Sequence, residues 1–211
     1  MNGLISQDEL SVIRERLQAD FALPVEERKK LLDDRIDEIL DMLLMQYIYG
    51  NEDANEMLGI SVDWSERTTM DTTTITLGTD PYRIDTDRME RVVDAVVADK
   101  TWKDRVREWY GSENGTADDI VRIIETESHR VYNDSILDVG EQAEADTSGV
   151  YKTWFTMADD RVRDSHVPLE GVTVPYHERF YTFDNDSAMA PGGFSDPRNN
   201  IGCRCSIWLT R

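Results

Sequence analysis

Two cysteines and two of the three histidines fall between Tyr151 and Trp208, and these side chains can do metal or nucleophilic chemistry. Cys203 and Cys205 stand one residue apart. On an extended backbone they project to one face together with Ile207 and Leu209. Their Cα atoms are then roughly 6.5–7 Å apart, a span that strains a disulfide. Two thiolates on one face can share a tetrahedral zinc, with His166 as third ligand and His177 or a nearby Asp as fourth. A pair of buried free thiols is the alternative. C-x-C with scattered histidines is less specific than paired C-x-x-C, so both stay open. A structural zinc is therefore the candidate cofactor, and no other is indicated.

Asp160, Arg161, Arg163 and His166 suggest a polar network, with Arg163 in a bidentate pair with Asp160 or Asp196 that holds turns together where core is scarce. A catalytic version would use His166 as general base. Ser165 is adjacent, but no nucleophile elbow or oxyanion loop surrounds it. Bracing is the expected role, and no catalytic residue is nominated.

These side chains need elements to position them. After Gly149 the period changes from 3.6 towards 2: Val150, Lys152, Trp154 and Thr156 alternate with Tyr151, Thr153 and Phe155, which predicts a half-buried strand. Asp159 to His166 reads as a turn or short helix, and Val172–Val174 and Phe180–Phe183 as extended pieces. Met189 to Asn200 reads as a loop, and Ile201 to Leu209 as the closing strand. Residues 148–211 thus form a small α+β module.

The rest is helical in pattern. Leu10, Ile13 and Leu17 share a face over residues 6–20. Leu31, Leu32, Ile36, Ile39, Leu40, Leu43 and Tyr47 form an amphipathic stripe of about six turns that Gly50 is expected to stop. Asn51 to Leu58 adds a short helix before Gly59, closing a helical segment 1–60. Residues 61–83, rich in threonine, read as an extended arm or linker. In segment 84–147, Asp85 to Tyr110 is helical with a break near Thr101. Thr116 caps a further helix that is expected to end by Gly140. The expected fold class is α+β, a mainly helical N-terminal body carrying the small C-terminal module.

The 211 residues carry a formal charge of −20. From Ser148 onward seven basic side chains face eight acidic ones, which leaves 16 basic against 35 acidic before it, a net of −19. An acidic body repels phosphate, so weak or absent DNA binding and protein partners are expected. No apolar run reaches the roughly 18–20 residues of a membrane span, and Met1-Asn2-Gly3-Leu4 does not open a signal peptide.

The C-terminal residues resemble the Mu F-like minor head proteins of tailed bacteriophages, the phage head morphogenesis domain family. The likeness rests on Lys152-x-Trp154, Asp160-Arg161-Val162-Arg163-x-Ser165-His166, Leu169-x-Gly171, Phe180 and Cys203-Arg204-Cys205. Upstream, Ile124-Glu125-Thr126-Glu127 looks like the family's Arg-Thr-Glu helix motif without its arginine, which adds Thr126 and Glu127 to the structural set. The resemblance implies a low-copy head component, located in the virion at the capsid interior or portal vertex and in host cytoplasm before assembly. It implies the portal protein as partner, with major capsid or scaffold protein beside it, and a role in DNA packaging or ejection. The Leu31–Tyr47 stripe or the Thr-rich arm is the expected docking surface. Two competing readings are a metal-dependent hydrolase or transferase using Glu127, Arg163 and His166, and an acidic regulator that mimics DNA.

Overall fold

A computed structural model describes residues 5–60, 84, 86–97 and 99–211. The Thr-rich arm expected over residues 61–83 lies outside them. Helix α1 (Gln7–Phe21) starts at a capping box in which Ser6 and Glu9 satisfy each other's backbone N–H groups. A one-turn helix α2 (Val25–Arg28) follows Pro24 and leads through a 3₁₀ turn into α3 (Leu32–Met57). Then come α4 (Thr86–Val93) and α5 (Trp102–Tyr110), the break between them lying where Thr101 caps α5. Helix α6 (Ala117–Asp146) begins at a third capping box, Thr116 with Asp119, and runs 30 residues.

Two helices run past the glycines expected to stop them. Helix α3 continues through Gly50, so the short helix expected over Asn51–Leu58 is its last two turns. Helix α6 likewise continues six residues past Gly140. The reason is packing. A Cβ on Gly50 would stand 2.4 Å from the Tyr132 carbonyl oxygen, and one on Gly140 would stand 2.5 Å from the Tyr176 ring. At these positions glycine allows close approach between α3 and α6 and between α6 and the C-terminal module.

The C-terminal module holds a three-stranded antiparallel sheet in the order β2–β1–β5, formed by Tyr151–Phe155 (β1), Thr173–Pro175 (β2) and Ser206–Thr210 (β5). Lys152 lies opposite both Val174 and Leu209, and Trp154 opposite Ile207. A small hairpin, Phe180–Tyr181 (β3) with Ser187–Ala188 (β4), and a one-turn helix α7 (Pro197–Asn200) complete it. The closing strand is shorter than expected, because Cys203 and Cys205 precede the ladder.

Two cores share one helix. Leu10, Ile13 and Leu17 of α1, Ile39 and Leu43 of α3, Trp102 and Val106 of α5 and Ile120 and Ile124 of α6 form the first. Ile136, Val139 and Ala143 of the same α6 join Trp154, Phe180, Ile207 and Leu209 in the second. Each of the larger apolar side chains contributes about 1.5–3 kcal/mol on burial. Ile36, Ile39, Leu43 and Tyr47 are buried, and Leu31, Leu32 and Leu40 pack partly buried against the same core, so the stripe is used largely in the interior. The acidic body is also cross-tied: Asp20 of α1 accepts hydrogen bonds from Tyr110 of α5 at 2.8 Å and Arg35 of α3 at 2.6 Å.

Gly50→Ala should lower stability by about 1–3 kcal/mol, the usual cost of overfilling a packed contact. Helix propensity alone would make the same change stabilising by up to about 1 kcal/mol. Urea denaturation decides the sign, and a stabilised variant would show that α3 and α6 do not meet backbone to side chain here.

Candidate functional site

The site is assembled on α6. Asn133, fully buried, donates from Nδ2 to the Cys205 carbonyl at 3.2 Å, and its Oδ1 accepts from the Ile207 N–H at 3.1 Å. One amide side chain thus takes the backbone groups that a strand neighbour would take, which holds the segment Cys203–Cys205 against the helix. Two turns earlier, Thr126 Oγ1 accepts from the Gly202 N–H at 3.3 Å. The Thr-Glu helix motif and the residue just before Cys203-Arg204-Cys205 are therefore direct partners.

His166 reaches the same place from the turns after β1. Its ring stacks on Phe194 with centroids 5.3 Å apart and meets the edge of Trp154 at 5.5 Å. Its Nδ1 lies 3.6 Å from Cys203 Sγ and 3.6 Å from Cys205 Sγ. All three side chains are buried, and their ligand atoms lie within 4.8 Å of one another. The Nε2 nitrogen is also sealed off and has no hydrogen-bond partner among the described residues. His177 is elsewhere: exposed and edge-on to the Tyr176 ring, it is outside the group.

The thiols share their protons unequally. Hydrogen bonding from Cys205, with His166 adding to it, outweighs burial and pulls Cys203 well below the usual thiol range. Cys205 is pushed up by its hydrogen bond to Cys203, by burial and by the Cys203 charge. His129 of α6 lines a cleft of about 610 Å³ together with Cys203, Glu125 and Arg204. Burial lowers its pKa to about 4, and its Nδ1 lacks a partner.

The polar brace differs from the expected one in its carboxylates. Asp160 is exposed, and Asp196 pairs with Arg198. Arg163 donates instead to the Ile201 carbonyl, which ties the His166 turn to the cysteine loop. The pair expected between Arg163 and Asp160 is not formed; Asp159 instead accepts from Arg204 at 2.7 Å and pairs with Arg161 at 3.4 Å. The Arg204 hydrogen bond brings the Asp159 pKa down to about 2. The two acids are adjacent in sequence, and only the direction of the turn distinguishes them.

Glu127 is buried away from the cysteines. It pairs with Arg105 of α5 at 2.6 Å and with Arg130 at 2.8 Å. Arg130 also donates to the Val92 and Val93 carbonyls at the end of α4, at 2.8 and 3.3 Å. This network locks three helices together, with the orphan carbonyls of α4 satisfied by a cation. Of the three residues weighed for a hydrolase or transferase, Arg163 and His166 border one small void, and Glu127 does not line it.

Two residues had no role assigned from the sequence. Asp186 accepts hydrogen bonds from the N–H groups of Ser187 (2.8 Å), Ser195 (3.2 Å) and Asp196 (3.0 Å), from the Ser195 hydroxyl (2.7 Å) and from the Asn199 amide (3.1 Å). Burial alone would raise its pKa, but these donors outweigh it and hold the carboxyl far below its usual range. Lys152 is fully buried on β1. Its ammonium lies over the Tyr176 and Phe180 rings at 5.6 and 5.4 Å, with Met189 Sδ at 3.6 Å. Burial, aided by Arg179, lowers its pKa to about 8.

Comparison with known proteins gives one finding. The family model described as phage Mu protein F like protein matches residues 90–208, more than half of the chain, from α4 through β5. No curated protein and no solved structure matches.

Asp186→Asn should cost about 2 kcal/mol, since several hydrogen bonds to a charged acceptor weaken together. Because the folded pKa is depressed, the Asp186 contribution is present above the unfolded value of about 3.9 and fades as pH falls through the folded one. Acid titration of the unfolding midpoint should therefore be shallower in the variant. Lys152 behaves oppositely. Its folded pKa of about 8 lies below the unfolded value of 10.5, so the unfolded chain binds the extra proton between them and wild-type stability rises over that range. Lys152→Met should flatten this rise and be neutral to stabilising by about 1–2 kcal/mol at pH 7, as read from denaturation at several pH values.

Proposed function

The chain belongs to the phage Mu protein F like family of bacteriophage head morphogenesis proteins, and from that premise we propose that it is a minor head protein that docks at the portal vertex during procapsid assembly and aids DNA packaging or ejection. A head protein is associated with the virion. Among the described residues no helix is long and apolar enough to cross a membrane.

The observation that carries the finer reading is the charge asymmetry. The net of −19 on residues 1–147 makes those residues a surface that repels phosphate and attracts basic protein. A protein partner within the head suits such a surface better than DNA does. The module of residues 148–211, close to neutral, is held on the same long helix as the body, so a force on one is transmitted to the other without a flexible joint at α6. A structural role is supported by Glu127 and Arg163, which are each engaged in holding elements together. The docking element is the Thr-rich stretch 61–83, since the α3 stripe is used internally.

The test uses the full-length chain co-expressed with the portal protein of the same phage. Wild type should co-purify with the portal, and replacing residues 61–83 by a Gly/Ser segment of equal length should reduce capture about tenfold or more, the loss expected when a central contact is removed. Capture by wild type alone supports the reading. Equal capture by both removes the arm from the interface, and capture by neither removes the portal. Competition with DNA for a basic head protein, weakening as salt rises, would favour the DNA-mimicking regulator instead.

A further inference from the structure

We propose that Cys203 Sγ, Cys205 Sγ and His166 Nδ1 form a structural zinc site with three protein ligands, its fourth position facing a small void beside them. This inference stands apart from portal docking and would survive its failure.

Donor type and spacing carry it. Two sulfurs and an imidazole nitrogen suit zinc in a tetrahedral field. Zinc bonds of about 2.3 Å to sulfur and 2.0–2.1 Å to nitrogen, at the tetrahedral angle, put sulfur and nitrogen about 3.6 Å apart. Both Sγ···Nδ1 separations are 3.6 Å. Nδ1 can accept one S–H proton, yet two sulfurs stand equally far from it. A single S–H···N hydrogen bond would give no reason for that symmetry, whereas an ion shared by all three atoms would.

The ligands are also held in advance. His166 is clamped between Phe194 and Trp154, and the cysteine segment is pinned by Asn133 and by the Thr126 hydrogen bond to Gly202. Site precision of this kind depends on such support. The ion would join two segments 37 residues apart, and binding at Nδ1 would place the imidazole proton on Nε2. Two thiolates and a divalent cation sum to zero charge, which suits so dry a location. A void of about 10 Å³ bordered by the three ligands, Met157, Val162 and Arg163 leaves room for roughly one water-sized occupant. The void itself is too small for an organic substrate, and the larger cleft that Cys203 also lines lies beside it.

Full-length protein expressed with added zinc and measured by elemental analysis should hold about one zinc per chain. Cobalt(II) substitution should give the intense visible bands of a tetrahedral sulfur-ligated ion. Cys203→Ser, Cys205→Ser and His166→Gln should each lower zinc affinity about tenfold or more, whereas His177→Ala should leave it unchanged. Should the serine variants fail to fold, metal-stripped wild type supplies the second readout. Zinc should then slow alkylation of both cysteines, with cobalt saturating at one equivalent. Wild type that carries no metal, takes up no cobalt and shows thiols equally reactive with and without zinc would overturn the proposal. So would unchanged affinity in His166→Gln or loss of zinc in His177→Ala.

Discussion

The structure depends on a few polar side chains of α6 that hold the last irregular segment of the chain. Asn133 bonds the Cys205 carbonyl and the Ile207 N–H, and Thr126 accepts from Gly202. Buried backbone groups outside a ladder must find partners or lose free energy comparable to a lost hydrogen bond. Here a helix in the body supplies them. The loop before β5 therefore cannot take its shape unless α6 is already in place, and both cysteines point inward because the helix dictates where their backbone runs.

The same helix makes the two cores one object. Its first half is lined by Ile120 and Ile124 against the α-helical body, its second by Ile136 and Val139 against the sheet. Close contact is possible because Gly50 and Gly140 remove side chains where α3 and Tyr176 press against it. Buried charge is concentrated on this axis too. Glu127, Arg130 and Arg105 satisfy one another and the end of α4. Removing one partner of such a group is far costlier than the group's net contribution suggests, because the remaining charge stays buried. That asymmetry explains why a Thr-Glu pair inside a helix can be a structural signature without being a site of chemistry.

Lys152 is the exception to this pattern of mutual satisfaction, held over aromatic faces with no carboxylate in reach among its described contacts. Asp186 shows the reverse, one carboxylate organising the loop from β4 to α7 through hydrogen bonds alone. In a module with a small apolar core, these polar centres set the shape of loops that hydrophobic burial does not reach.

Much of the architecture was legible in the residues themselves. Period 3.6 in the body, period 2 after Gly149 and the cap at Thr116 reflect local backbone physics, which acts over a few residues. Residue type and spacing named Cys203, Cys205 and His166 as candidate ligands, and the tertiary structure brings their side chains together. What required the tertiary structure was every choice between near-equivalent residues: Asp159 over Asp160 for the arginines, Ile201 rather than an acid for Arg163, and the exclusion of His177. Gly50 and Gly140 belong here as well, since a glycine that ends a helix and one that lets another chain segment approach look alike in sequence. Their roles are decided by atoms far away along the chain, and a local pattern holds no record of those neighbours.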